Sequence, residues 1–171
     1  MSVPTPSSSS SRRHFVVRLG ALAAALTTTA HARSPSNAPA LRIVRPAPAA
    51  PLTLDLRALE ALGLASITTA VPWDAQPRHW EGVSLKRLLE HAQAGGRPVN
   101  IKALNDYAAP LPWSDMQQFD PILAWRRDGQ TIAVRDKGPL LVIYPFARFP
   151  RLEGHVYTGR SVWHVAEIVV E

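Results

Sequence analysis

The chain contains no cysteine. That single absence excludes disulfides, thiolate nucleophiles, zinc–thiolate sites and iron–sulfur clusters. Only His, Asp and Glu remain as metal ligands. The four histidines beyond the first fifty residues (His79, His91, His155 and His164) form no i,i+4 pair and no His-x-His. A metal site built from protein ligands alone is therefore not expected. Acidic residues are missing before Pro51, where Arg12, Arg13, Arg18, Arg33, Arg42 and Arg45 all lie. From Pro51 onward thirteen Lys and Arg face thirteen Asp and Glu. The formal charge of +6 thus belongs to the first fifty residues, and the remainder is neutral. A neutral domain lacks the electrostatic support that nucleic-acid binding requires. Gly-x-Ser-x-Gly, His-Glu-x-x-His and phosphate-loop motifs are absent too, which removes the best-marked hydrolase and nucleotide-binding classes.

Long hydrophobic runs are also lacking. The apolar stretch Leu19–Leu26 is far short of the ~20 residues that span a bilayer. Basic residues precede it, and Ala30-His31-Ala32 ends the segment with an A-x-A pattern, so residues 1–32 read as a cleaved export signal. Ser11-Arg12-Arg13-His14-Phe15 favours the twin-arginine route over an ordinary Sec signal with two chance arginines. Either route places the mature chain in the periplasm. Residues 33–50, rich in Pro, Ala and Ser, read as an extended tether, with the folded domain beginning near Pro51.

Hydrophobic residues make up 46% of the chain, enough for a real core. Leu52–Leu54 reads as a strand, and Asp55 as the cap of a helix Leu56–Leu62 ended by Gly63. Ser66–Val71, rich in β-branched residues, reads as a strand that stops at Pro72-Trp73. Trp80–Val83 leads into a helix capped by Ser84, whose Leu85, Leu88, Leu89 and Ala92 form one apolar stripe. Gly95-Gly96 ends it. Val99–Leu104 and Ala108–Leu111 read as strands, with a helical turn at Ser114–Gln118. Ile122–Pro145 places two apolar runs around Asp128-Gly129, the signature of a type I′ hairpin. A polar loop, Arg135–Pro139, follows and then a buried-looking strand, Leu140–Tyr144. Phe146–Arg160 reads as an irregular loop and His164–Val170 as the last strand. With no βαβ rhythm, the expected class is α+β: mostly β, in mixed or antiparallel sheets, with two or three short helices.

Candidate site residues lie in two loops and beside the last strand. Asn105-Asp106-Tyr107 follows a buried strand. Its plainest role is an Asx turn, with ligand contact as the alternative. Arg135, Lys137 and Gly138 offer a guanidinium fork, a compact ammonium and a glycine suited to positive φ. They form either a solvated turn or an anion-binding rim. Arg160 faces solvent or a ligand, and Trp163 is expected in the core. Arg148, Arg151, His155 and His164 are expected to be structural or solvated.

The ordered series resembles the molybdopterin-binding domain of the sulfite-oxidase type, in particular its small single-domain bacterial members. It comprises Trp80-Glu81-Gly82-Val83-Ser84-Leu85 with Leu88-Leu89, Asn105-Asp106-Tyr107, and Ile122-Leu123-Ala124 with Asp128-Gly129. Arg135-Asp136-Lys137-Gly138-Pro139-Leu140, Tyr144-Pro145 and Arg160-Ser161-Val162-Trp163 complete it. The resemblance runs from about Leu52 to Val170. It implies packed, mostly β layers and, in family enzymes, a pterin dithiolene carrying molybdenum. It also assigns Asn105, Asp106, Tyr107, Arg135, Lys137, Gly138 and Arg160 to the pocket.

Catalytic members give the metal a cysteine from a strand before the Trp-x-Gly-Val element. Here that region reads Ser66-Ile67-Thr68-Thr69-Ala70, and a threonine hydroxyl is a poor substitute for a soft thiolate. The residues themselves establish no cofactor, and molybdopterin enters only through the resemblance. The expected function is an exported, non-catalytic module that binds a small anionic ligand, or a periplasmic or membrane sensor or redox protein. The alternative is a molybdopterin-dependent oxidoreductase with non-cysteine metal ligation.

Overall fold

The computed structural model describes residues 40–171; the expected export signal and the start of the expected tether lie outside them. Two sheets of short strands pack face to face. The first contains β1 (Leu41–Val44), β2 (Leu52–Leu54), β5 (Val99–Ala103), β6 (Ala108–Leu111) and β10 (Val165–Val170) in the order β2-β1-β10-β5-β6. The second contains β3 (Ala65–Val71), β4 (Asp74–Ser84), β7 (Ile122–Arg127) and β8 (Gln130–Thr131), with β9 (Leu141–Ile143) also on β7. Among the described strands only the β1–β10 pair is parallel. Among the described residues four short α-helices complete the fold: α1 (Leu56–Ala61), α2 (Leu85–His91), α3 (Trp113–Gln118) and α4 (His155–Arg160). The class is α+β and mostly β, as the sequence pattern requires.

Sequence chemistry explains most of these elements. Asp55 Oδ1 accepts from the Ala58 N–H at 2.7 Å and starts α1. Ser84 Oγ accepts from Arg87 N–H at 3.2 Å and starts α2, whose Leu85, Leu88 and Leu89 are fully buried. Each such leucine contributes roughly 1.5–3 kcal/mol through burial. Arg127 pairs with Gln130 across Asp128 (φ 52°) and Gly129 (φ 77°), the two positive angles a type I′ turn demands. Leu123, Trp125 and Val142 enter the main core between the sheets, whereas Ile122, Ala124, Leu141 and Ile143 enter a second cluster on the outer face. The second sheet is covered on both faces, which is why β7 and β9 read as unbroken apolar runs rather than alternating ones.

The structure departs from expectation in four places. Leu41–Val44, inside the expected tether, forms β1 and pairs with both β2 and β10. Its alternation is four residues long, too short to stand out between prolines. Trp80–Val83 does lead into α2 through Ser84, but as the end of β4, an eleven-residue strand that the sequence pattern does not announce. Pro77 obscured it, and lies where the β3–β4 register shifts, so its missing N–H breaks no regular ladder. Phe146–Arg160 is ordered as two 3-10 turns followed by α4. Finally, Gly138 does not take a positive φ; Lys137 does, at 75°. Gly138 is needed for space instead, since a Cβ there would lie 2.1 Å from the Ile132 carbonyl oxygen.

Candidate functional site

The segment Val162–Val165 joins the two sheets. Val142 N–H donates to Val162 O at 2.8 Å and Val165 N–H to Leu140 O at 2.9 Å, on the side of the second sheet. On the other side, Leu104 N–H donates to His164 O at 2.9 Å. Val162 and Val165 are buried by this stitching, and Trp163 is turned toward the surface, half-buried. Its indole meets Trp73, from the β3–β4 turn, at a centroid separation of 5.5 Å and an angle of 55°. Asn105 and Tyr107 come from the β5–β6 turn, and Thr158, Gly159 and Ser161 from α4 and its end. Together with Val162 they line a cleft of about 360 Å³, within the range of small-molecule sites.

The strap Ala133–Gly138 closes over the outer face. Asp136 and Gly138 N–H groups both donate to Ala133 O at 2.9 Å, and the His164 N–H donates to Lys137 O at 3.1 Å. His164 Nδ1 lies 2.5 Å from Gly138 O. A carbonyl can only accept, so Nδ1 carries the proton. With its backbone so fixed, Lys137 sets its ammonium 3.1 Å from the Trp163 ring centre and 5.9 Å from that of Trp73. Such a contact is worth about 0.5–2 kcal/mol, more as water is excluded. Burial holds the Lys137 pKa below the ordinary lysine range. No carboxylate among the described residues forms an ion pair with it.

The expected site residues therefore divide. Asn105 and Tyr107 line the cleft, Lys137 stands over one of its indoles, and Gly138 anchors the strap. Asp106 takes φ 64° in the turn, and Asn105 Oδ1 receives the Tyr107 N–H at 3.4 Å, the local Asx role. Arg135 is exposed, with Asp136 at 3.6 Å. Arg160 is withdrawn from the cleft: its Nη1 binds Asp115 Oδ2 at 2.9 Å. Sequence reasoning assigns neither Trp73 nor Trp163 to a site and expects Trp163 in the core, whereas the indole is only half-buried. The signal that pointed elsewhere was Trp73 itself, an indole directly after Pro72 in a turn rather than on a core stripe.

The model of the oxidoreductase molybdopterin binding domain matches residues 49–170. The chain belongs to this family. The sulfane dehydrogenase SoxCD of Paracoccus pantotrophus superposes with a TM-score of 0.54 at 16% identity, covering 77% of this chain and 37% of that one. The likeness confirms a sulfite-oxidase-like fold, and this chain spans little more than a third of its neighbour's length. No curated protein matches.

The family implies a molybdopterin cofactor, and the side chains can be tested against it. On β3, the strand before Trp80-Glu81-Gly82-Val83, the one buried polar side chain is Thr69. Its hydroxyl donates to Ala70 O and accepts from the Ala147 N–H, both at 2.9 Å. Among the described residues no three His, Asp or Glu side chains converge. These residues do not fit a molybdenum centre that takes a ligand from the protein.

Proposed function

We propose that this chain is an exported, non-catalytic member of the molybdopterin-binding domain family, which uses the Trp73–Trp163 cleft to bind a small anionic ligand. The observation that carries the proposal is Thr69. The strand from which catalytic members supply a thiolate holds instead a buried hydroxyl whose hydrogen bonds hold the chain together at Ala70 and Ala147. A neutral, engaged hydroxyl is a poor ligand for a soft metal site. Lys137 supports the anionic preference, being the one cation set against the cleft's aromatic wall without a carboxylate partner among the described residues. Export rests on the basic, short-apolar and A-x-A pattern of residues 11–32. A sensor or redox protein in the same compartment would read the liganded state.

The test is elemental analysis of protein expressed with its own leader in a molybdenum-replete host. Iodine oxidation and a search for fluorescent pterin accompany it. The expected result is molybdenum and pterin far below one per chain. Stoichiometric amounts of both would overturn the non-catalytic reading in favour of an oxidoreductase with non-cysteine ligation.

A further inference from the structure

We propose that the cleft selects flat aromatic acids, with a fused two-ring body against the indoles of Trp73 and Trp163 and its carboxylate paired with Lys137. The inference rests on the binding-module reading above and names the ligand class.

Shape is the first argument. Lys137 lies 3.1 Å from the Trp163 ring centre, Trp73 lies 5.5 Å from that ring, and 5.9 Å separates the ammonium from Trp73. These separations make nearly a right angle at Trp163. The ammonium stands above the indole face, and Trp73 sits at its edge. The two indoles thus form a bent aromatic wall, and Tyr107 and Val162 extend the apolar lining. A cleft of about 360 Å³ accommodates a fused two-ring body. Aromatic bodies gain from offset or edge contacts with such walls beyond the burial of area alone.

Charge is the second. No charged residue lines the cleft itself. Lys137 holds its ammonium against Trp163, a ring that is itself part of the lining. A cationic guest meets repulsion from that ammonium, and one face of the Trp163 ring is already taken by it. An anionic guest gains a charge-assisted partner. Its carboxylate would also offset the burial that lowers the Lys137 pKa. The lysine stem is flexible, whereas its backbone is pinned by the His164 contacts to Lys137 O and Gly138 O, so the ammonium can move from ring face to carboxylate without moving the strap.

The experiment is calorimetric titration of the full chain with three probes of one shape: 2-naphthoate, 2-naphthylmethanol and 2-naphthylmethylammonium. Naphthoate should bind roughly ten-fold or more tightly than the alcohol, the size of a charge-assisted hydrogen bond. The ammonium should bind weakest. Lys137→Met, which keeps the stem and removes the charge, should bring naphthoate down to the level of the alcohol and leave the alcohol unchanged. Lys137→Arg should restore the preference. Equal affinity for the three probes, no measurable naphthoate binding, or an unchanged preference in Lys137→Met would each overturn the inference. Molybdenum content tests the module reading and charge selectivity tests this one, so the two fail separately.

Discussion

The Tyr144 hydroxyl donates to Asp115 Oδ2 at 2.7 Å, and the same oxygen receives Nη1 of Arg160 at 2.9 Å. Three elements meet at one buried carboxylate: Tyr144 follows β9, Asp115 lies in α3 and Arg160 ends α4. The wall of the cleft formed by Thr158, Gly159 and Ser161 is held to the core by this junction. Asp115→Ala would leave a phenol and a largely buried guanidinium without their partner. It should cost about 3–5 kcal/mol in urea unfolding. Tyr144→Phe leaves the Arg160–Asp115 pair intact and should cost only about 1–2 kcal/mol.

The same phenol makes stability fall in alkali. Burial, and then the Asp115 carboxylate, push the Tyr144 pKa well above the ordinary tyrosine range, against a smaller opposing pull from Arg160. A group with its folded pKa raised contributes stability that is complete below its unfolded value, about 10, and is lost as pH rises beyond it. Urea midpoints measured from pH 9 to 11 should fall more steeply for the wild type than for Tyr144→Phe. Parallel slopes would contradict the assignment.

At Gly138 the constraint is space rather than dihedral freedom. Gly138→Ala drives a methyl to within 2.1 Å of Ile132 O, 2.7 Å of Ile132 C and 2.9 Å of Ala133 O, all backbone. The strap cannot yield without losing its hydrogen bonds to Ala133. The variant should lose more than about 2 kcal/mol, judged by urea unfolding.

Arg135→Ala should do almost nothing to stability. The side chain is 87% exposed and its ion pair with Asp136 is long, at 3.6 Å. A change within about 0.5 kcal/mol is expected in the same assay.

Glu167 ties three strands together, binding Arg42 of β1 and Lys102 of β5 from its place in β10. Burial alone would raise its pKa, but the hydrogen bonds from Arg42 and Lys102 outweigh it, and the carboxyl sits below its ordinary 4.5. Its contribution is therefore present above about pH 4.5 and disappears as pH falls through the lowered value. Glu167→Gln should cost about 0.5–1 kcal/mol at pH 7. Its stability should decline less than that of the wild type between pH 5 and 3.

The readable parts of this fold are those in which local chemistry and tertiary structure agree. Asp55 and Ser84 are caps by residue type, Asp128-Gly129 is a turn by dihedral preference, and the α2 leucines share one face by spacing alone. Leu41–Val44 was not legible because its partners, β2 and β10, lie far along the chain or beyond a proline-rich break. β4 is hidden by Pro77 and the exposed stretch around it, where strand pairing rather than patterning determines the conformation. At the site, sequence order singles out Asn105, Tyr107 and Lys137, and the structure sets the first two in the cleft and the third against Trp163. It could not show that Arg160 turns inward to Asp115, because that choice depends on a carboxylate forty-five residues away. Nor could it bring Trp73 to Trp163, an encounter set by the crossing of two sheets.

The position of β10 has a further consequence for how the molecule is assembled. β10, the last of the described strands, does not lie at an edge; it lies between β1 and β5. Until it arrives, the first sheet exists as two separate ribbons, β2-β1 and β5-β6, with a slot one strand wide between them. β1–β2 and β5–β6 each pair with their sequence neighbour, but the first sheet becomes continuous only when residues 165–170 pair along both flanks. The segment just ahead of that strand carries Trp163. Closing the slot and completing the aromatic wall are therefore one event, and a chain that stalls before it has neither a whole sheet nor a binding site.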